Sequence, residues 1–151
     1  MNTPSFPTAS LIRRLAALVY DTLILGGLCF VATLVLVWLN GGQAFAAYDA
    51  RLSVWLMMVC FVFVGWCWTH GGQTPGMRAW NIRVEGENGQ CLSWTQALVR
   101  FLSAGLSLVC LGSGYLWMLI DSEKRTWPDR WSGTQVVYIR GVKVQPPKDE
   151  G

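Results

Sequence analysis

The chain has 151 residues, of which 52% are hydrophobic and only 14% charged. Soluble domains carry about 25% charged residues, so this balance argues against a soluble enzyme. The length suits one domain, and a formal charge of +3 says little until the charges are placed in loops.

No Asp, Glu, Lys or Arg occurs in Thr22–Tyr48, Leu52–Met77 or Phe101–Ile120. A surface helix of a soluble protein shows a polar face, and these stretches have none. They read as membrane segments. The first helix is predicted to start near Ser10 or Leu11, after Pro7 and the capping candidates Thr8 and Ser10. It runs to Leu39, where Asn40-Gly41-Gly42 stop it. About 30 residues at ~1.5 Å each give ~45 Å, more than the ~30 Å hydrocarbon core requires. Its first third is therefore expected in the interface or protruding into the cytoplasm. Arg13-Arg14 before an apolar run, with Ala44-Phe45-Ala46 beyond it, imitates a signal peptide. The run Thr22–Leu39 is about 18 residues against ~7–15 for a signal core, so the segment is expected to stay as an anchor. After a short loop, Gly41–Arg51, a second helix is predicted over Leu52–Thr69, long enough to span with little tilt.

His70–Trp94 is polar and Gly-rich. Within it Asn81–Glu85 alternates, Gly86–Gly89 is a turn cluster, and Gln90–Ser93 is positioned to return as a hairpin. A third apolar region, Ala97–Ile120, is interrupted by Gly112-Ser113-Gly114, and the charged tail 121–151 holds one strand-like run, Thr134–Arg140. Pairing of Gln135–Ile139 with Ile82–Glu85 would join the middle loop and the tail in one small sheet.

Lysine and arginine set the expected orientation. Arg13 and Arg14 precede the first helix, and the loop after it has only Arg51. The middle loop holds Arg78 and Arg83, with Arg100 just beyond, and the tail holds Lys124, Arg125, Arg130, Arg140, Lys143 and Lys148. A cytoplasmic N-terminus suits the first two helices. A third full crossing would then export the basic tail. A segment that dips in, bends at Gly112–Gly114 and returns keeps every basic residue but Arg51 inside, and Ala97–Leu111, at ~22 Å of helix, is short for a crossing. The bent form is favoured over the crossing, although non-helical backbone at depth then needs protein cover. Trp38 and Trp55 fit an outer boundary; Trp66, Trp68, Trp94, Trp127 and Trp131 fit an inner one. Core filling by tryptophan is the plainer account of the same residues.

Arg14 and Asp21 lie seven residues apart, only ~20° around a helix, on a face continued by Ala17, Leu25 and Ala32. Their axial separation is ~10 Å, so a direct pair needs the arginine to reach down the helix. Charge toward lipid costs several kcal/mol, so this stripe is expected to face protein. The competing account places Asp21 at the headgroups and makes Arg13 and Arg14 ordinary anchors. Arg100, Asp121 and Asp129 are expected near the same interface, without an assigned pairing.

Other chemistries fit poorly. Cys29, Cys60, Cys67 and Cys110 lie in apolar runs, Cys91 stands alone, and one histidine, His70, leaves a zinc site without ligands. The thiols read as reduced and structural. Gly71-Gly72-x-x-x-Gly76 lacks the Lys-Ser/Thr of a phosphate loop and follows an apolar helix, so a re-orienting turn is the better account. A Ser-His-Asp triad has only His70 to draw on, and positive-inside anchoring explains the basic tail without nucleic acid. Neither an enzyme nor a cofactor or metal is expected.

The residues resemble a known family. Arg14-x-x-Ala17-x-x-x-Asp21 looks like the opening of the RDD family, named for one arginine and two aspartates. Gly72-Gln73-Thr74-Pro75-Gly76-Met77-Arg78, Ile82-Arg83-Val84 and Gly89 resemble its middle loop. Leu98-Val99-Arg100 and Arg125–Thr134 resemble its closing motifs, with Asp129 as the second aspartate. The resemblance covers residues 11–139. Met77 and Pro128 depart from it, standing where a basic residue and often a histidine would be expected; both read as peripheral. The predicted class is an all-α membrane protein. It has two transmembrane helices, a third apolar segment (re-entrant, bent at Gly112–Gly114, or a third crossing) and a small cytoplasmic β element. The resemblance implies a multi-pass bacterial inner-membrane protein whose transport role, in some members sodium–proton exchange, is loosely defined. Candidate site residues are Arg14, Asp21, Arg100 and Asp129, with the loop Gly72–Gly76. Ion- or proton-coupled transport would need a homo-oligomer, because so few crossings enclose no pathway. The alternative is a non-transporting scaffold or assembly partner for another membrane protein, using its cytoplasmic face.

Overall fold

The computed structural model describes residues 7–46, 49–87, 89–110 and 112–139. Arg140, Lys143 and Lys148 of the charge argument lie outside the described residues.

Helix α1, Leu11–Leu39, has the predicted bounds, and Asn40 closes it through backbone bonds to Leu36 and Val37. Ser10 holds the cap position, but its side chain makes no cap bond. Thr8 instead forms a β-bridge with Val137. Helix α2, Ala50–His70, begins earlier than predicted because the Asp49 carboxylate accepts the Arg51 N–H at 2.8 Å. Both helices are long and apolar enough to cross a membrane. They pack together through Ala32, whose carbonyl accepts the Trp55 indole N–H at 3.1 Å, and through the Cys29 and Cys60 sulfurs, 3.4 Å apart. Trp55 thus spends its polar edge inside the helix pair, as core filling would have it.

After α2 the chain forms a short helix, α3 (Pro75–Ala79), and strand β1 (Ile82–Gly86). Helix α4, Trp94–Val109, opens with a capping box in which Ser93 and Gln96 satisfy each other's backbone N–H. That box overturns the local hairpin. The turn exists, with Gly89 N–H on Gly86 O and Gly86 N–H on Gln90 O, but Leu92 is buried and Ser93 already caps a helix. The chain has no residues left there for a returning strand.

The partner of β1 is the tail strand β2, Thr134–Tyr138, antiparallel, with Arg83 opposite Val137 and Val84 opposite Val136. Pro7–Ala9 lies along the other edge of β2: Ala9 N–H meets Val136 O and Tyr138 N–H meets Pro7 O, each at 2.9 Å. A two-stranded sheet is marginal alone, and this one is held by burial of Ile82, Val84, Val136 and Val137 among the helices. Cysteines placed at Arg83 and Val137, in a background without the native cysteines, are expected to crosslink readily. Failure there and at the neighbouring positions would refute the register.

Between α4 and β2 lie α5 (Ser113–Leu116), a single 3-10 turn (Trp117–Leu119) and α6 (Trp127–Ser132). The α4 axis and the α5 segment meet at 105°. Gly112 makes this corner possible: its φ of +76° lies in the left-handed region that a side chain disfavours. Because β2 pairs with β1, the third apolar segment ends at the end of the molecule where it began. The third apolar segment is thus broken and bent at Gly112.

Candidate functional site

Arg14 in the first turn of α1, Arg100 on α4 and Asp129 on α6 converge in one buried cluster. Thr126-x-x-Asp129 sets up the acidic member. Thr126 caps α6 by accepting the Asp129 N–H, and Asp129 Oδ2 accepts the Thr126 N–H at 3.1 Å. The same carboxylate receives Arg14 Nη1 on Oδ2 and Arg100 Nη1 on Oδ1, the latter at 2.7 Å. Arg14 also donates from Nε to Ala9 O at 3.1 Å and from Nη2 to Val136 O at 3.3 Å. Arg100 Nη1 reaches Thr134 Oγ1 at 2.6 Å, and its guanidinium lies 5.4 Å over the Trp68 ring, within cation–π range. One carboxylate thus ties α1, α4, α6 and the sheet together. Burial pushes the Asp129 carboxyl up, but Arg100 and Arg14 outweigh it and hold the group at about 2.

Asp21 is elsewhere. It shares the predicted face with Arg14 and Ala17, yet Arg14 turns away from it toward Asp129. Asp21 accepts the Thr74 hydroxyl on Oδ2 and the Gly76 N–H on Oδ1 at 2.7 Å. The loop motif exists to make that contact. Gln73 Nε2 holds Ile82 O at 2.9 Å, the Gly72 carbonyl accepts the Val84 N–H at 2.7 Å, and Thr74 and Pro75 start α3. Gly76 then rests on α1, where an added Cβ would stand 2.4 Å from Ala17 O. A carboxylate at the first turn of α3 also suits the partial positive charge of exposed N–H groups.

A cavity of about 160 Å³ connects the two places. It lies between α1 and α4, and Arg14, Asp21, Trp68, Arg100 and Tyr115 line it. Met77 and Pro128 line it too, and Pro128 is fully buried. These two departures from the family pattern are therefore not peripheral; they form part of the cavity wall. Asp121 belongs to a separate, outer pair: Oδ1 meets Arg130 Nη2 at 3.0 Å and Oδ2 accepts the Arg125 N–H at 2.9 Å. Thr134, Thr126 and Trp68 were not singled out as site residues. Thr126-Trp127-Pro128-Asp129 carried a legible signal, a capping residue and a proline ahead of an acidic third position.

Two membrane-length helices, a bent third segment and charges buried where the helices meet a small sheet fit a small helical membrane protein. The RDD family model matches residues 8–133, and the chain belongs to the RDD family. The match ends just before Thr134 and Val136, which receive Arg100 and Arg14. No curated protein and no solved structure matches the chain.

Proposed function

We propose that the chain is an integral protein of a bacterial inner (plasma) membrane, with its N-terminus in the cytoplasm, that handles an ion or proton as a homo-oligomer. Asp21 carries this reading. It lines the cavity on a helix of membrane length, and among the described residues it meets only neutral donors, Thr74 and Gly76. A carboxylate without a cationic partner at such a place is free to exchange a proton or hold a cation, and ionisable groups within membranes commonly mark ion routes. On α1 the cavity reaches from Arg14 to Leu25 and no further, so the remaining path would come from a second copy.

In proteoliposomes the wild type is expected to support proton-coupled cation flux, and a folded Asp21→Asn protein none, because an amide carries no proton. Normal flux through Asp21→Asn would remove Asp21 from the coupling. A folded but fluxless wild type would move the assignment to the second reading, a membrane scaffold or assembly partner. One observation favours that reading: Asp129, Arg14 and Arg100 are engaged in joining elements.

The orientation rests on the basic residues and on the sheet, which gathers Pro7–Ala9, β1 and β2 at one end. Reporter fusions after Asn2, at Gly89 and after Gly151 should all report cytoplasm, and one at Gln43 the outside. A periplasmic report from the C-terminal fusion would refute the bent third segment.

A further inference from the structure

The cavity between α1 and α4 has a second chemical character that ion handling does not use. Its charged end is rich in donors. Arg100 engages only Nη1, so among the described residues its Nε–H and both Nη2 protons make no hydrogen bond. Trp68, only 7% exposed, lines the cavity beneath the Arg100 guanidinium, and its indole N–H is buried behind that wall, without a partner among the described residues. The Tyr115 hydroxyl, also in the wall, makes no hydrogen bond among the described residues. Among the described residues two arginines face one carboxylate in this cluster, which leaves it one positive charge in excess. An uncompensated buried charge is costly, and an incoming anion would remove that cost. Asp21 lines the cavity as well, but it lies ~10 Å along α1 from Arg14, with Thr74 and Gly76 on its oxygens.

The other walls are hydrocarbon: Leu18 and Leu25 from α1, with Phe101, Ala104 and Leu108 from α4. A volume of about 160 Å³ is close to that of a cavity that takes up benzene, enough for an acidic head and its first methylenes. The rest of a chain would follow the space between α1 and α4.

We infer that this cavity binds a single-chain anionic amphiphile, a fatty acid carboxylate or the phosphate of a monoalkyl chain, with the head on Arg100 and Tyr115. The assignment stands whether the protein transports or assembles, since it requires binding only.

The test uses the full chain, purified in neutral maltoside micelles and immobilised, with radiolabelled decanoate as probe. Saturable retention is expected at one decanoate per chain. Decyl phosphate should displace it, and decanol should need at least about tenfold more, because it lacks the charge that Arg100 meets. Acetate and inorganic phosphate, without a chain, should not displace it in the same range. Ala104→Trp fills the cavity from α4 and should abolish retention, and Arg100→Gln should weaken it by about tenfold or more. Decanol matching decanoate, displacement by acetate alone, or no saturable retention by the wild type would each overturn the site. So would retention undiminished in Ala104→Trp. Were Arg100→Gln to fail to fold, the competitor series on the wild type would still decide the matter.

Discussion

Asp129→Asn is expected to cost about 3–5 kcal/mol, seen as lost accumulation in the membrane or a large drop in the unfolding midpoint in micelles. The size follows from burial. Asp129 is fully buried, and Arg14 and Arg100 are 6% and 5% exposed, so removing the carboxylate leaves two guanidinium groups at low dielectric without their anion. The amide keeps a capping oxygen for Thr126, so the loss reports the charge and not the end of α6. Adding Arg14→Gln should recover part of the loss, and Arg14→Gln with Arg100→Gln most of it. Pairing Arg14→Gln with Asp21→Asn should recover nothing, because those two groups do not meet. A solvated cluster would instead give about 0–1 kcal/mol for every single change, with no rescue. Acid is a milder probe of the same cluster. The Asp129 carboxyl is held at about 2, below its ordinary 3.8, so its contribution is complete above 3.8 and is lost as pH falls from there through about 2. At pH 5 the cluster should be intact.

Much of this arrangement was legible because it rests on strong local signals. The bounds of α1 follow from the apolar run and the Asn40-Gly41-Gly42 stop. The strands themselves follow from two short runs, the alternating Asn81–Glu85 and the strand-like Thr134–Arg140, on either side of one apolar segment. The convergence of Arg14, Arg100 and Asp129 was expected as a neighbourhood, and the pairing within it was not. The reason is geometric. Arg14 and Asp21 share a helix face, but a side chain on a helix can lean either along its own axis or outward to a neighbouring element. Ala9 O, Val136 O and Asp129 together offer Arg14 more acceptors than Asp21 does. Such a choice depends on where α6 and β2 arrive, more than 100 residues later in the chain. The two short helices were missed for a related reason. α3 and α6 have five and six residues, too few to show a period, and only their caps, Thr74-Pro75 and Thr126-x-Pro128-Asp129, announce them. The local hairpin failed because alternation in Asn81–Glu85 identifies a strand but not its partner.

Gly76→Ala tests whether the loop motif serves Asp21 by close approach, and its effect should be nearly as large as that of Asp129→Asn. The new methyl carbon would stand 2.4 Å from Ala17 O and 2.8 Å from the Asp21 carboxylate. Ala17 O belongs to the backbone of α1 and cannot turn aside, so α3 must lift away. Overpacking of this kind costs about 1–3 kcal/mol. Lifting also stretches the 2.7 Å bond from Gly76 N–H to Asp21, a charge-assisted bond worth about 1.5–3 kcal/mol. The sum predicts a loss of about 3 kcal/mol or more in micelle unfolding. Gly105→Ala, on α4 with nothing within 4 Å of the added carbon, is the matched control. It should be neutral or stabilise by up to about 1 kcal/mol, since alanine is the better helix former. Asp21→Asn should cost less than Gly76→Ala, because the amide oxygen still accepts the Gly76 N–H and no atom is added to the contact. It should not rescue Gly76→Ala, because the clash with Ala17 O remains. A Gly76→Ala protein as stable as the Gly105→Ala control would mean that α3 does not rest on α1 at Ala17, and Asp21 would then lose the two donors that hold it in the cavity wall.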